Sequence, residues 1–178
     1  MIRSIGGRYP LSGLQARGNT GEVWRALDRT TDRAVAVKLL NSHVDTDRRR
    51  AERLLRAHGM LRTLWHPSIA SVLDVVVDDG IVGLVTDLVP GTDLRTRLAN
   101  EGPLAPAEAT EITATLAEAL SAAHNAGVVH GDIKPSNVLL PLRGNGAVRL
   151  TDFSVALLLR AGQHGSMTSD VGAYTAPR

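Results

Sequence analysis

A polar loop at His130–Asn137 offers the densest set of reactive side chains, because it places an acid, a cation and an amide within a few residues of one another. A carboxylate such as that of Asp132 can orient and deprotonate a hydroxyl group. Lys134 can hold a phosphoryl group during its transfer, and Asn137 can bind a metal ion. This order of side chains predicts phosphoryl-transfer chemistry and makes an ordinary polar surface loop the weaker interpretation.

A glycine-rich turn between two predicted strands is a second candidate. Its pattern is Ala16-x-Gly18-x-x-Gly21-x-Val23, and glycines allow backbone amides to approach phosphate groups closely. Such hairpins are common, so the turn alone is a weak signal. No Gly-Lys-Ser/Thr follows, which excludes a Walker A loop, and the next element is a strand rather than a helix, which argues against a dinucleotide-binding fingerprint.

Two charged residues at the ends of apolar strands complete the set. Lys38 closes the apolar run Val35–Lys38. A surface lysine with a buried stem would fit that position, but the glycine turn upstream favours a contact with phosphate oxygens. Asp152 follows a predicted strand at 147–150, where a carboxylate can bind Mg²⁺, although taken alone it would suit a turn.

In this order, these four features resemble the protein kinase family, specifically bacterial Ser/Thr protein kinases of the actinobacterial type, over essentially the whole chain. The resemblance implies phosphoryl transfer from ATP, with Mg²⁺ as the metal ion. It makes Asp132 the catalytic base, while Lys134 steadies the γ-phosphate and Lys38 pairs with the α- and β-phosphates. Asn137 and Asp152 would hold Mg²⁺.

The same resemblance implies a nucleotide-binding cleft. Gly18 and Gly21 would cover the phosphates, with Ala16 in the place of the loop's first glycine. The segment Thr86–Val89 looks like the gatekeeper and hinge, which bind adenine through backbone hydrogen bonds.

Adenine itself would lie between two apolar surfaces. Val23 and Ala36 would form the roof of the cleft, and Leu139 would form the floor. The full set of predicted nucleotide-binding residues is Ala16, Gly18, Gly21, Val23, Ala36, Lys38, Thr86, Asp87, Val89 and Leu139.

The sequence departs from the family pattern at the partner of the strand lysine. Kinases pair this lysine with a glutamate on the first helix, but Ala57 occupies the expected position, counted back from His66-Pro67. Glu52 is the only acidic residue within residues 48–73. It would reach Lys38 only if the helix shifts by about one turn.

Further departures bear on activity and its control. Gly131 replaces the arginine of His-Arg-Asp, which predicts the absence of control by activation-loop phosphorylation. Small-molecule phosphotransferases of the aminoglycoside type also use His-Gly-Asp, but the Lys-Pro pair that follows favours the protein kinases. Ser154 and Arg178 replace the last residues of the Asp-Phe-Gly and Ala-Pro-Glu motifs, and Val171 or Gly172 stands where a substrate-positioning threonine is expected.

The elements that position these residues follow from hydrophobic patterning. We predict strands at 9–14, 22–27, 34–40, 72–77 and 81–86, a hairpin of 139–141 with 147–150, and helices at 47–64, 94–100 and 106–126. Strands come first and helices dominate later, so we predict an α+β, protein-kinase-like fold. A β-rich N-lobe spans 1–90, with a hinge at about 86–91, and the first part of a helical C-lobe spans 91–178.

The family's usual layout places further C-lobe helices beyond Arg178. Those helices would cover the helix at 106–126. In their absence, we expect Leu116 and Leu120 to face solvent, and we expect the chain to self-associate through this face.

Composition narrows the function classes. The chain of 178 residues lacks cysteine, which excludes a disulfide scaffold, a thiolate zinc site and a cysteine nucleophile. Its net charge of +2 is too small to predict a nucleic-acid partner. Only two of its 20 basic residues are lysines, Lys38 and Lys134, and both fall on motif positions, as does its single phenylalanine, Phe153.

No apolar run is long enough for a signal sequence or a membrane span, so we expect a cytoplasmic protein. ATP and a protein substrate or interaction partner are the expected partners. Three functions stay open. They are an active Ser/Thr protein kinase, a pseudokinase that acts as a nucleotide-binding or protein-interaction module, and, resting on His-Gly-Asp alone, a small-molecule phosphotransferase.

Overall fold

A computed structural model of the chain describes residues 4–18, 20–40, 55, 58–142 and 147–153. The strands of its first half are β1 (Ser4–Ile5), β2 (Tyr9–Gly18), β3 (Gly21–Asp28), β4 (Arg33–Leu40), β5 (Val72–Asp78) and β6 (Ile81–Asp87). They form one antiparallel sheet in the order β1-β2-β3-β4-β6-β5. All five strands predicted for this half are confirmed, and the short β1 adds an edge strand.

The β5–β6 hairpin shows how local sequence sets this topology. Asp78 pairs with Ile81, so the turn contains only Asp79 and Gly80, whose φ angles are 46° and 77°. Positive φ at both positions matches the twist of the flanking strands and favours an Asp-Gly pair. The predicted hairpin is therefore confirmed.

Alternation along β4 sends its side chains to two different faces of the sheet. Val35, Val37 and Leu39 are buried on one face, in a cluster completed by Ile5, Tyr9, Leu11, Ala26 and Val85. Ala36 and Lys38 alternate with them and therefore project from the opposite face. That second face carries the residues of chemical interest.

The second half of the chain combines a small sheet with helices. Strands β7 (Gly91–Asp93), β8 (Val138–Pro141) and β9 (Arg149–Leu150) form an antiparallel sheet in that order. The helices are α1 (Leu94–Glu101) and α2 (Pro106–Asn125), followed by a short 3-10 turn at Pro135–Asn137. Helical residues also occur at 58–63, within the helix predicted at 47–64. No helix within the described ranges is long and apolar enough to cross a membrane.

Capping residues in the sequence determine where the two helices begin. Asp93 caps α1, because its carboxylate accepts the Thr96 backbone N–H at 3.0 Å. Pro106 occupies the first turn of α2, where its missing N–H costs no hydrogen bond. Both helices end within one residue of the predicted positions.

The apolar side of α2 corrects one expectation. Ile112, Ala119 and Ala123 are buried, and Leu116 and Leu120 are half-buried against the same core. The expectation that these two leucines face solvent is therefore wrong. They lie about one and two helical turns beyond Ile112, on the side of α2 that the core already covers. Self-association of the chain stays a prediction.

One core joins the first sheet to the second half of the chain. Its buried members are Leu61, Leu64, Ile69, Val72, Val75, Val82, Leu84, Ile112, Ala119, Ala123, Val128, Val138, Leu150 and Phe153. Backbone hydrogen bonds reinforce the junction: Ala70 N–H donates to the Leu150 carbonyl, and Leu150 N–H donates to the Ser68 carbonyl, both at 2.9 Å. Strand β9 is thereby fixed against the chain segment that leads into β5.

Candidate active site

The loop at His130–Asn137 holds three of the predicted residues close together. Asp132 Oδ2 accepts from Lys134 Nζ at 2.9 Å and from Asn137 Nδ2 at 3.2 Å. Asn137 Nδ2 also donates to the Asp132 carbonyl oxygen at 2.7 Å. The 3-10 turn that ends at Asn137 brings this buried amide back toward the aspartate. Both side-chain contacts use Oδ2, so Asp132 Oδ1 takes no part in them.

His130 anchors this loop, a role that the motif alone does not reveal. Its Nδ1 accepts the Asp132 N–H at 3.2 Å, so that nitrogen carries no proton, and Nε2–H donates to the Thr151 carbonyl oxygen at 2.8 Å. Burial lowers the pKa of His130, in agreement with a neutral ring. The ring also packs edge-on against Phe153, with centroids 4.6 Å apart. Its place two residues before Asp132 is the only signal for this role in the sequence.

Lys38 and Asp152 form an ion pair although 114 residues separate them in the sequence. The distance from Lys38 Nζ to Asp152 Oδ2 is 2.5 Å. Lys38 is only 7% exposed, so the alternative of a surface lysine is wrong. The two candidate positions for a helix acid, Ala57 and Glu52, lie outside the described residues. Within the described part of the chain, the ion-pair partner of Lys38 is Asp152.

The glycine-rich turn joins β2 to β3, as predicted. Strand β2 ends at Gly18 and β3 begins at Gly21, and these two glycines lie opposite each other in the ladder. Gly21 has a φ of 144°, and a Cβ at this position would lie 2.0 Å from the Leu39 carbonyl oxygen. Glycine is therefore required there by both backbone conformation and space. Asn19, within the turn, lies outside the described residues.

One face of the first sheet carries four of the predicted cleft residues. Val23 lies opposite Lys38, and Thr86 lies opposite Ala36. Cross-strand partners share a face, and Ala36 and Lys38 are two residues apart on one strand, so all four side chains project from the same side. Val23 and Ala36 are half-buried, and Ala16 lies opposite Val23 on the neighbouring strand.

The remaining predicted cleft residues lie on the segments that follow this face. Asp87 ends β6, and Val89 lies between β6 and β7. Leu139 lies on β8, two residues after Asn137, and is half-buried.

Asn137 and Asp152 supply oxygen atoms, which suit the predicted Mg²⁺ ion. With Nδ2 turned toward Asp132, the Asn137 side chain presents Oδ1 as its ligating atom. Thr151 N–H donates to the Asn137 carbonyl at 2.9 Å, which holds the two predicted ligands near each other. No group of three His, Cys, Asp or Glu side chains in the described ranges could form a metal site. The chain thus offers one carboxylate and one amide, a donor set that phosphate oxygens and water commonly complete around Mg²⁺.

Comparisons with known proteins point to the same family as the motifs. The family model described as "Protein kinase domain" matches residues 15–178. Serine/threonine-protein kinase PkaB of Streptomyces coelicolor is 43% identical over 185 residues, which cover 99% of this chain and 44% of that protein. Serine/threonine-protein kinase PknA of Mycobacterium tuberculosis is 36% identical over 181 residues, which cover 98% of this chain and 42% of that protein. The chain therefore spans less than half the length of these curated relatives.

Solved structures agree on the fold. The kinase domain of Mycobacterium tuberculosis PknI matches with a TM-score of 0.78 at 27% identity, over 87% of this chain and 61% of that one. The crystal structure of Rad53 in complex with AMP-PNP matches with a TM-score of 0.71 at 26% identity, over 82% of this chain and 38% of that one. The chain belongs to the protein kinase family, and actinobacterial Ser/Thr protein kinases are among its relatives.

Proposed function

We propose that this chain is a Ser/Thr protein kinase domain that binds ATP with Mg²⁺ and transfers the γ-phosphoryl group to a protein hydroxyl. A connected series of contacts among the predicted residues carries the proposal. Lys38 contacts Asp152 at 2.5 Å, and the Asp132 carboxylate accepts from Lys134 at 2.9 Å and from Asn137 at 3.2 Å. The backbone joins the two groups, because the residue before Asp152 donates to the Asn137 carbonyl oxygen.

In the proposed reaction, Asp132 takes the proton of the substrate hydroxyl. Its Oδ2 already accepts from Lys134 and Asn137, so we assign the incoming proton to Oδ1. As the hydroxyl oxygen bonds to the γ-phosphorus, the bond from that phosphorus to the β-phosphate oxygen breaks and ADP leaves. The Lys134 ammonium, beside Asp132, supplies positive charge where the transferring group is most negative.

Lys38 and Asp152 bind the other phosphates in this proposal. Lys38 holds the α- and β-phosphates from the sheet face that also carries Val23 and Ala36. Bound Mg²⁺, with Asp152 and Asn137 as its protein ligands, would neutralise phosphate charge. The 2.5 Å contact between Lys38 and Asp152 places the cation beside the proposed metal ligand.

Adenine is proposed to contact the hinge and the apolar roof and floor defined above. Asp87 N–H donates to the Ser71 carbonyl at 3.1 Å, so the Asp87 carbonyl is the group that accepts from the base, and Val89 N–H donates to it. We also propose residues 1–90 as the N-lobe and 91–178 as the first part of the C-lobe, since the first sheet ends with β6 and the second begins with β7.

A pseudokinase that binds nucleotide without turnover is the second candidate, and one observation favours it. Ala57 stands where kinases place the acidic partner of the strand lysine, and among the described residues the ion-pair partner of Lys38 is Asp152. If that pair persists when nucleotide binds, Asp152 is shared between the lysine and Mg²⁺. Nucleotide would then bind in a geometry that does not support transfer.

Thermal unfolding with and without Mg-ATP tests nucleotide binding. At a ligand concentration of about 100 times Kd, binding stabilises the folded state by about 2.7 kcal/mol, or about 5–10 °C in Tm for a domain of this size. We expect this shift in the unaltered chain and its loss in Lys38→Met, whereas Arg33→Met, at the exposed start of the same strand, keeps it. No shift in the unaltered chain at millimolar Mg-ATP contradicts both candidates, and transfer of labelled phosphate separates them.

A further inference from the structure

The Asp87 side chain connects three segments of the chain beside the proposed nucleotide cleft. Asp87 is the last residue of β6, and its Oδ2 accepts the Ser71 backbone N–H at 3.2 Å. The same oxygen accepts from Arg149 Nη1, on β9, at 3.4 Å. One carboxylate therefore links β6, the residue that precedes β5, and β9.

Backbone contacts fix the orientation of this carboxylate. Asp87 N–H donates to the Ser71 carbonyl oxygen at 3.1 Å, so the two residues are joined by two hydrogen bonds. The Asp87 carbonyl also accepts from the Thr86 hydroxyl at 3.4 Å. The Asp87 and Arg149 side chains are 21% and 33% exposed, so solvent screens their attraction only in part.

Arg149 lies close in the fold to residues of the proposed nucleotide cleft, so its ion pair with Asp87 can affect their positions. It pairs with Leu139, the predicted floor of the adenine cleft, in the β8–β9 ladder. It also lies three residues before Asp152. Its neighbour Leu150 exchanges two backbone hydrogen bonds of 2.9 Å with the 68–70 segment. Strand β9 is thus joined to the 68–70 segment by backbone hydrogen bonds and to the end of β6 by the Asp87–Arg149 ion pair.

We propose that the Asp87–Arg149 ion pair positions the hinge against β9 and thereby sets the affinity of the cleft for nucleotide. This inference rests on the proposed function and adds two positioning side chains to it. They act through the hinge backbone and Leu139 rather than by touching the nucleotide. Loss of the pair removes the direct side-chain link between the hinge and β9 and leaves only the backbone link through residues 68–71, while Asp132 and Lys134 keep their own contacts.

Replacement of Arg149 tests the inference directly. Arg149→Gln removes the charge, and we expect the Kd for Mg-ATP to rise about fivefold, as the loss of a partly exposed ion pair implies. We expect kcat at saturating ATP to stay unchanged. Arg149→Lys restores the charge without the planar fork and should recover part of the affinity, and it serves as the test if Arg149→Gln fails to fold. Arg95→Gln, exposed on α1, is the matched control and should bind as the unaltered chain does.

A double-mutant cycle tests whether Arg149 acts through Asp87. Asp87→Asn removes the charge but keeps an oxygen for the Ser71 N–H. Combined with Arg149→Gln, it should raise Kd no further than the larger single effect, because both changes remove the same interaction. A double variant whose Kd rises by the product of the two single effects would overturn the inference.

The outcomes distinguish this inference from the proposed function. If the unaltered chain binds no Mg-ATP, both fail. If it binds Mg-ATP and Arg149→Gln binds equally well, only the positioning role fails. A lower kcat at saturating ATP with unchanged Kd also overturns that role, because Arg149 would then act on phosphoryl transfer.

Discussion

Breaking the Lys38–Asp152 ion pair from the aspartate side should strongly destabilise the folded chain. The lysine and aspartate side chains are 9% and 19% exposed. Asp152→Asn removes the negative charge but keeps the shape, and asparagine tolerates the φ of 70° found at this position. The Lys38 ammonium would then stay buried without its counter-charge, which is the costly way to break such a pair.

We expect Asp152→Asn to lower the free energy of unfolding by about 3 kcal/mol, the lower end of the range for a buried pair, because the aspartate is partly open to water. That loss corresponds to about 6–12 °C in Tm for a chain of this length. Lys38→Met should cost less, about 1 kcal/mol, because the exposed edge of Asp152 can hydrate while methionine fills the lysine's volume. The double variant should also lose only about 1 kcal/mol, so that the two single effects do not add.

Urea unfolding without nucleotide measures this cycle in the unaltered chain, the two single variants and the double variant. Asp79→Asn, in the β5–β6 turn, is the control for replacing an aspartate at positive φ, here 46°. An Asp152→Asn variant as stable as the unaltered chain would refute the reasoning. Single effects that sum in the double variant would refute it equally.

Three further predictions concern single residues. Because burial lowers the pKa of His130, its contribution to stability is full above a pH of about 6.5 and is lost as the pH falls below it. His130→Gln can keep the hydrogen bond to the Thr151 carbonyl oxygen without titrating, so it should flatten the dependence of urea unfolding between about pH 7.5 and pH 5.5, and an unchanged slope contradicts the neutral-ring assignment. Gly21→Ala should lower the free energy of unfolding by about 2 kcal/mol in thermal unfolding. Gly18→Ala should cost less, because a Cβ at Gly18 meets nothing within 4 Å. Equal losses of stability in the two variants would contradict this account of the turn. Asn137→Ala should raise the Mg²⁺ concentration needed for stabilisation by ATP at least about tenfold, and an unchanged requirement would remove Asn137 from the metal site.

The sequence predicts the strands and helices well because the signals for them lie in residues that are close together along the chain. The β5–β6 hairpin depends on the Asp79-Gly80 turn, and the start of α2 depends on Pro106. The proximity of Asp132, Lys134 and Asn137 is equally local, since one short loop and a 3-10 turn hold all three. These parts of the fold and of the candidate site therefore need little information from the rest of the chain.

Contacts between segments that are far apart in the sequence cannot be predicted from such local signals. The Lys38–Asp152 pair joins residues 114 positions apart, and the His130 contact with Thr151 joins residues 21 positions apart. The sequence motifs suggest these neighbours only through the family resemblance. The choice of Asp152 as the described partner of Lys38, and the neutral tautomer of His130, emerge only when the segments are packed together.

Burial of Leu116 and Leu120 shows the same dependence on distant segments. Helical periodicity correctly places both on the apolar side of α2, but it does not show what covers that side. The cover is a core whose members include Leu61 and Leu64, far upstream in the sequence.

The proposed phosphoryl transfer is tested by incubating the unaltered chain with γ-labelled ATP, Mg²⁺ and a protein acceptor. We expect label on the acceptor, and we expect Asp132→Asn to lower the rate at least about 100-fold while Mg-ATP binding persists. Asp79→Asn, an aspartate change remote from the loop, should transfer label at the unaltered rate. A rate that Asp132→Asn leaves unchanged, or no transfer from a chain that binds Mg-ATP, would contradict the proposal.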